Sequence, residues 1–230
     1  MGIRIQFFKS KLDKELKDLI FENYSDFAKW YVDRNNASIE EFDETYGTKQ
    51  LIDFFTQNKK ISKDLNLLPQ KIIDEMTVEY VVEYPASQSI LELFGPSMKK
   101  WRYNKSTQLV LETKDHEFIK LWRYLINGRS LKNSEEFDSY TDEYKIGFLS
   151  FKEHSTLKKL ILKHFGDLQE MKQKYWTDSE KKKLQNSINN PDNDTYFLSD
   201  HNPVTSGLEY VMLAINEIKT SKTDLITAIE

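Results

Sequence analysis

The hydrophobic positions of this chain recur with two periods, and the change from one to the other marks its elements. Near the C-terminus Leu208, Val211, Met212, Ile215 and Ile218 fall on one helical face, with Glu209, Asn216, Glu217 and Lys219 assigned to water. Ser206 and Glu209 have the spacing of a capping box at the start of that helix. The following run Leu225-Ile226-Thr227-Ala228-Ile229 is nearly apolar on both alternation faces, which predicts a strand covered on both sides and internal to its sheet. At the other end Ile3, Ile5 and Phe7 alternate with Arg4 and Gln6, predicting a first strand with one buried face.

Between these ends the pattern is mainly helical. Leu12, Leu16, Leu19, Ile20, Phe27, Trp30 and Tyr31 share one side of a long helix, with a break placed near Asn23 to Ser25 and an end at Asn35-Asn36. Ser38 with Glu41 opens a short helix that Gly47 stops, and Leu51, Ile52, Phe54 and Phe55 form another. Pro69 suits the first turn of a helix carrying Ile72, Ile73 and Met76. Val78, Tyr80, Val82 and Tyr84 then alternate with Thr77, Glu79, Val81 and Glu83, predicting a half-buried strand closed by Pro85. Ser89 to Phe94 reads as a short helix or loop stopped by Gly95-Pro96, and Thr107 to Glu112 as a third strand.

Phe118, Leu121, Trp122 and Leu125 line a helix ended by Asn127-Gly128. Lys132 to Glu143 is an acidic loop, and Tyr144 to Leu149 is a fourth strand weakened by Gly147. Ser150 with Glu153 caps a helix that Gly166 ends, and Thr177 with Glu180 opens a charged helix before the polar loop Asn189 to Pro203. Five strand candidates separated by long helical connections predict an α+β or mixed α/β fold, with a roughly five-stranded mixed sheet under several helices. One globular domain over 1–230 accommodates it, a break near 95–105 being the alternative.

Composition narrows the chemistry. The formal charge of −4 argues against a broadly basic nucleic-acid surface. The absence of cysteine excludes disulfides, thiol nucleophiles and thiolate metal sites. Met1 to Phe8 lacks the apolar core of a signal peptide, and no apolar run is long enough for a membrane span, so a cytoplasmic protein is expected. Phosphate-loop, dinucleotide, nucleophile-elbow and zinc-helix motifs are missing, and no cofactor or metal is expected. Asp192-Asn193-Asp194 resembles the opening of a calcium loop but lacks the later glycine and bidentate glutamate.

Three groups of residues could carry function. Asp200 and His201 lie just before the last helix, where His201 with a carboxylate could serve as acid or base in a hydrolase or transferase. Glu79 and Glu83, four apart, could face a groove as paired carboxylates. Trp101, Arg102 and Tyr103, following Lys99-Lys100, form a candidate basic and aromatic patch for a partner or single-stranded nucleic acid. His154 and His164 are too far apart for a zinc pair and are expected on the surface. With no catalytic signature and many aromatic residues, the leading expectation is a non-enzymatic protein–protein interaction module: an inhibitor, neutralising partner or adaptor.

Overall fold

The computed structural model describes residues 4–35, 47–61, 64–99, 101–132, 137–140, 144–179, 181–182, 204–218 and 222–230. The elements are β1 (Arg4–Ser10), α1 (Leu16–Asn35), α2 (Thr48–Gln57), α3 (Gln70–Val78), α4 (Pro85–Ile90), β2 (Leu91–Lys99), α5 (Trp101–Glu112), α6 (His116–Ile126), β3 (Lys145–Leu149), α7 (Phe151–Phe165), α8 (Leu168–Tyr175), α9 (Ser206–Ile218) and β4 (Leu225–Ile229). A π-helical turn, Glu79–Glu83, continues α3. The fold is α+β. No described helix is long and apolar enough to cross a membrane.

The sheet of the described residues has four strands in the order β2-β1-β4-β3, and every pairing is antiparallel. The expected five-stranded mixed sheet is therefore corrected. Three of the five expected strands form, including the internal C-terminal strand, whose five residues are all buried. Thr107 to Glu112 is instead the second half of α5, because Tyr103, Ser106 and Val110 recur at helical spacing and are all fully buried. Val78 to Glu83 is helical as well, with Tyr84 extended after it. The fourth strand is β2, which passes through Gly95-Pro96; at that point two extra residues bulge out of the pairing with β1. An edge strand with such a bulge tolerates a proline.

Helices cover both faces of the sheet. Ile5, Phe7, Leu149, Leu225 and Ile229 point into a core completed by α5, α6, α7 and α9. Ile146, Phe148, Ile226 and Ala228 point into a second core with α1, α2, α3 and the π turn. Gly147 permits close packing of α6 on the sheet: a Cβ there would lie 2.4 Å from Thr227 Oγ1, 2.6 Å from Tyr124 O and 2.7 Å from Leu125 O. Thr227 uses that proximity, donating to the Leu125 carbonyl at 2.6 Å. The glycine is thus a packing requirement rather than a weakness of the strand.

Several local signals act as read. Ser150 and Glu153 make their reciprocal cap, and Asn127 and Gly128 close α6. Others differ. α1 is unbroken through Asn23, whose amide donates back to Leu19 O at 2.8 Å, and Leu12 lies before the helix, exposed. Gly47, with φ 70, starts α2. Glu209 does not face water: it is 3% exposed, and its Oε1 accepts from the Thr205 hydroxyl at 2.5 Å and the Trp176 indole at 3.1 Å. Burial raises its carboxyl above the usual range, opposed by those two hydrogen bonds. The Ser38–Glu41 and Thr177–Glu180 boxes involve residues outside those described.

Candidate functional site

Of the residues singled out from the sequence, Glu79 and Glu83 lie in the most developed surroundings. They sit on the π turn, where the Tyr84 N–H donates to the Glu79 carbonyl five residues back at 2.9 Å. One residue more per turn than in an α-helix suits this stretch, because it turns both Tyr80 and Tyr84 into the second core. Tyr80 is fully buried; its hydroxyl donates to Leu19 O at 3.3 Å and accepts from the Asn23 amide at 3.2 Å. Burial pushes its phenol up to about 12. Phe27 of α1 meets both rings edge-on, at 5.5 Å from Tyr80 and 5.1 Å from Tyr84.

The outer margin of this aromatic cluster reaches solvent at Trp30. Its half-buried ring lies 5.2 Å from Tyr84 and 6.0 Å from Phe27. The Arg34 guanidinium covers it at 5.2 Å, while Arg34 Nη1 lies 3.2 Å from Glu83 Oε2. Beside Trp30 is an open depression of about 550 Å³ lined by Asp26, Lys29, Trp30, Asp33 and Arg34, successive turns of one face of α1. Val81 and Val82 of the same π turn line a second concavity, about 360 Å³, with Phe8, Leu91, Leu93 and Tyr144.

Behind the margin runs a line of carboxylates. Asp74, fully buried, accepts from the Asp138 N–H at 2.9 Å and the Gln70 amide at 3.3 Å. Glu75, 1% exposed, accepts from the Tyr140 N–H at 2.7 Å. These two fasten residues 138 and 140 to α3 and serve a structural purpose. Glu79 comes one turn later. Burial pushes its carboxyl up to about 7, assisted by the like charges of Glu75 and Glu83 and opposed by Arg34. Tyr31, beneath it on α1, has its phenol raised by burial and then by Glu79. Glu79 and Glu83 are thus not the wet face of a strand: one is poised near neutrality, and the other orients Arg34.

The remaining candidates are placed differently. Asp200 and His201, with Asp192 and Asp194, lie outside the described residues. Trp101 and Arg102 are in the first turn of α5, their side chains outside the description, whereas Tyr103 is fully buried and offers no surface to a patch with them. Trp122 is core, its indole donating to Thr107 Oγ1 at 2.8 Å. The surface assignment of the histidines is corrected: His154 is 1% exposed. His164 is half-buried, stacked on Phe118 at 5.6 Å and 3.0 Å from Asp115 Oδ2. No group of three or more metal-ligating side chains occurs among the described residues.

Sequence reading missed the role of Arg34, and it placed Trp30 and Tyr31 in the core without distinguishing them. The available signal was the four-residue recurrence of Tyr80 and Tyr84, opposite Phe27 and Trp30. No protein-family model, curated protein or solved structure matches the chain.

Proposed function

We propose that this protein is a non-enzymatic interaction module that meets a protein partner with the face formed by Trp30, Arg34 and Glu83, with Tyr84 buried behind Trp30. The observation that carries this reading is the fixed presentation of Trp30, held against Tyr84 at 5.2 Å on one side and under Arg34 at 5.2 Å on the other, at the edge of an open depression. Tryptophan, tyrosine and arginine are enriched among the residues whose truncation costs protein interfaces heavily. Rings already immobilised by a core lose little conformational freedom on binding. The depression suits an apolar side chain laid against Trp30. Asp26, Lys29, Asp33 and Arg34 around it offer both signs of charge to orient that partner.

The test is capture of the partner on the immobilised protein, followed by calorimetric titration with wild type, Trp30→Ala, Arg34→Ala and, as a distant control, Leu213→Ala on α9. Trp30→Ala is expected to weaken binding by roughly 30-fold or more, and Leu213→Ala to leave it unchanged. Equal affinities in variants that keep the wild-type circular dichroism would contradict the reading.

A further inference from the structure

Two buried titratable groups, remote in sequence from the Trp30 face, are joined to adjacent residues at the start of β4. Asp224 is 3% exposed; its Oδ2 accepts from the Leu16 N–H at 2.8 Å, fastening the first turn of α1 to the sheet. Its Oδ1 has no hydrogen-bond partner. The preceding residue, Thr223, presents its carbonyl to Nε2 of His154 at 3.2 Å, which fastens α7 on the opposite face. A carbonyl can only accept, so Nε2 carries the ring proton. His154 Nδ1 is also without a partner, so a second ring proton placed there would be buried and unpaired. Both helical layers are thus tied to two consecutive residues immediately before β4.

The charges around this corner do not compensate an ionised Asp224. Glu15 faces it from the segment before α1, Glu153 from α7, and Arg129 from the segment between α6 and β3. Arg129 is the cation of the group, but it pairs with Glu153 at 2.8 Å and lies between the rings of Tyr124 at 4.2 Å and Phe148 at 4.8 Å. His154 is faced by Glu153 and by the edge of the Phe151 ring at 5.4 Å. Burial is the largest influence on both groups. It pushes the Asp224 carboxyl up to about 7, the Leu16 hydrogen bond opposing, and it lowers the His154 imidazole below its ordinary value.

We infer that the start of β4 is a charge-neutral latch, in which Asp224 as a carboxylic acid and His154 as a neutral imidazole hold α1 and α7 to one corner of the sheet. Exposing the corner to water changes both protonation states: the acid gives a proton to solvent and the imidazole takes one up. The two pH dependences then have opposite signs. The folded-state value of Asp224 is raised, so its stabilising contribution is complete below about pH 4 and is lost as pH rises to about 7. The folded-state value of His154 is lowered, so its contribution is complete above about pH 6.5 and is lost as pH falls. Where both residues respond the slopes oppose each other, and the latch adds less pH dependence than either residue would alone.

Urea unfolding of the full chain as wild type, Asp224→Asn and His154→Gln, from about pH 4.5 to 6.5, separates the two contributions. Asparagine keeps an acceptor for the Leu16 N–H. Relative to wild type, the folding equilibrium constant of Asp224→Asn is expected to rise with pH, by up to about tenfold per pH unit. That of His154→Gln is expected to fall by up to the same factor. Groups elsewhere are common to all three proteins and drop out of the ratios. If His154→Gln does not fold, nuclear magnetic resonance of the wild type replaces it: the Asp224 carboxyl should titrate above its ordinary value and the His154 ring below its own. Parallel pH dependence in the three proteins, or titration of either group at its ordinary value in the folded chain, overturns the latch.

Discussion

Arg34 Nη1 lies 3.2 Å from Glu83 Oε2, and this contact holds the guanidinium over the Trp30 ring instead of leaving it free in solvent. Both partners are substantially exposed, so the ion pair contributes little to stability, about 0–1 kcal/mol. Its consequence is orientation. Glu83→Gln is accordingly expected to change the urea midpoint only slightly while weakening partner binding several-fold, because Arg34 loses its tether. An affinity unchanged by this substitution, measured by titration, would separate the ion pair from the binding face.

Glu79 imposes a pH dependence of definite sign. Its folded-state value is raised to about 7, so the stability it contributes is complete below the unfolded-state value and disappears as pH rises through about 7. Glu79→Gln removes the buried charge. The variant is expected to gain on the order of 2 kcal/mol relative to wild type between about pH 4 and 8. Chemical unfolding at those two pH values checks this; a loss of relative stability on going to the higher pH would contradict the assignment.

Gly147 should admit no side chain. Even alanine would place its Cβ within 2.7 Å of two backbone carbonyls of α6, and neither the helix end nor the strand can yield cheaply. Gly147→Ala is expected to destabilise the fold by about 3 kcal/mol or more, read as a lowered midpoint in thermal or urea unfolding. An alanine variant as stable as wild type would mean that α6 does not pack this closely.

β4 pairs with β1 on one side and β3 on the other, and it supplies residues to both cores. Removing residues 225–230 therefore splits the sheet and uncovers both layers. The truncated chain is expected to lose cooperative unfolding and to aggregate. Calorimetry and sedimentation of that chain check it, a monomer with a sharp transition being the contrary result.

Where the amino-acid pattern was readable, a single period dominated. Leu208 to Ile218 carries the helical period, and Leu225 to Ile229, a short run apolar on both faces, reads as a covered strand by its length; both form. The segment Val78 to Tyr84 satisfies two periods at once: its apolar and acidic positions alternate, yet Val78 and Val82, Glu79 and Glu83, and Tyr80 and Tyr84 also recur at four. Tertiary packing against Phe27 decided for the helix, which no local pattern could reveal. Glu79 and Glu83 were legible as a pair, but not their contrast, which arises from the burial of Glu79 and from the pairing of Glu83 with Arg34, forty-nine residues away. Asp224 and His154 carried no signal at all. A carboxylate before an apolar strand and a histidine in a charged helix look solvated until Leu16 and Thr223 are seen beside them.

The most direct test of the proposed binding face is site-specific photocrosslinking in the native cell. Benzoylphenylalanine placed at Asp33, in the depression beside Trp30, is expected to yield a covalent adduct with the partner. The same group at Leu213, half-exposed on α9, is expected to yield none. An adduct from Leu213 with none from Asp33 would contradict the account.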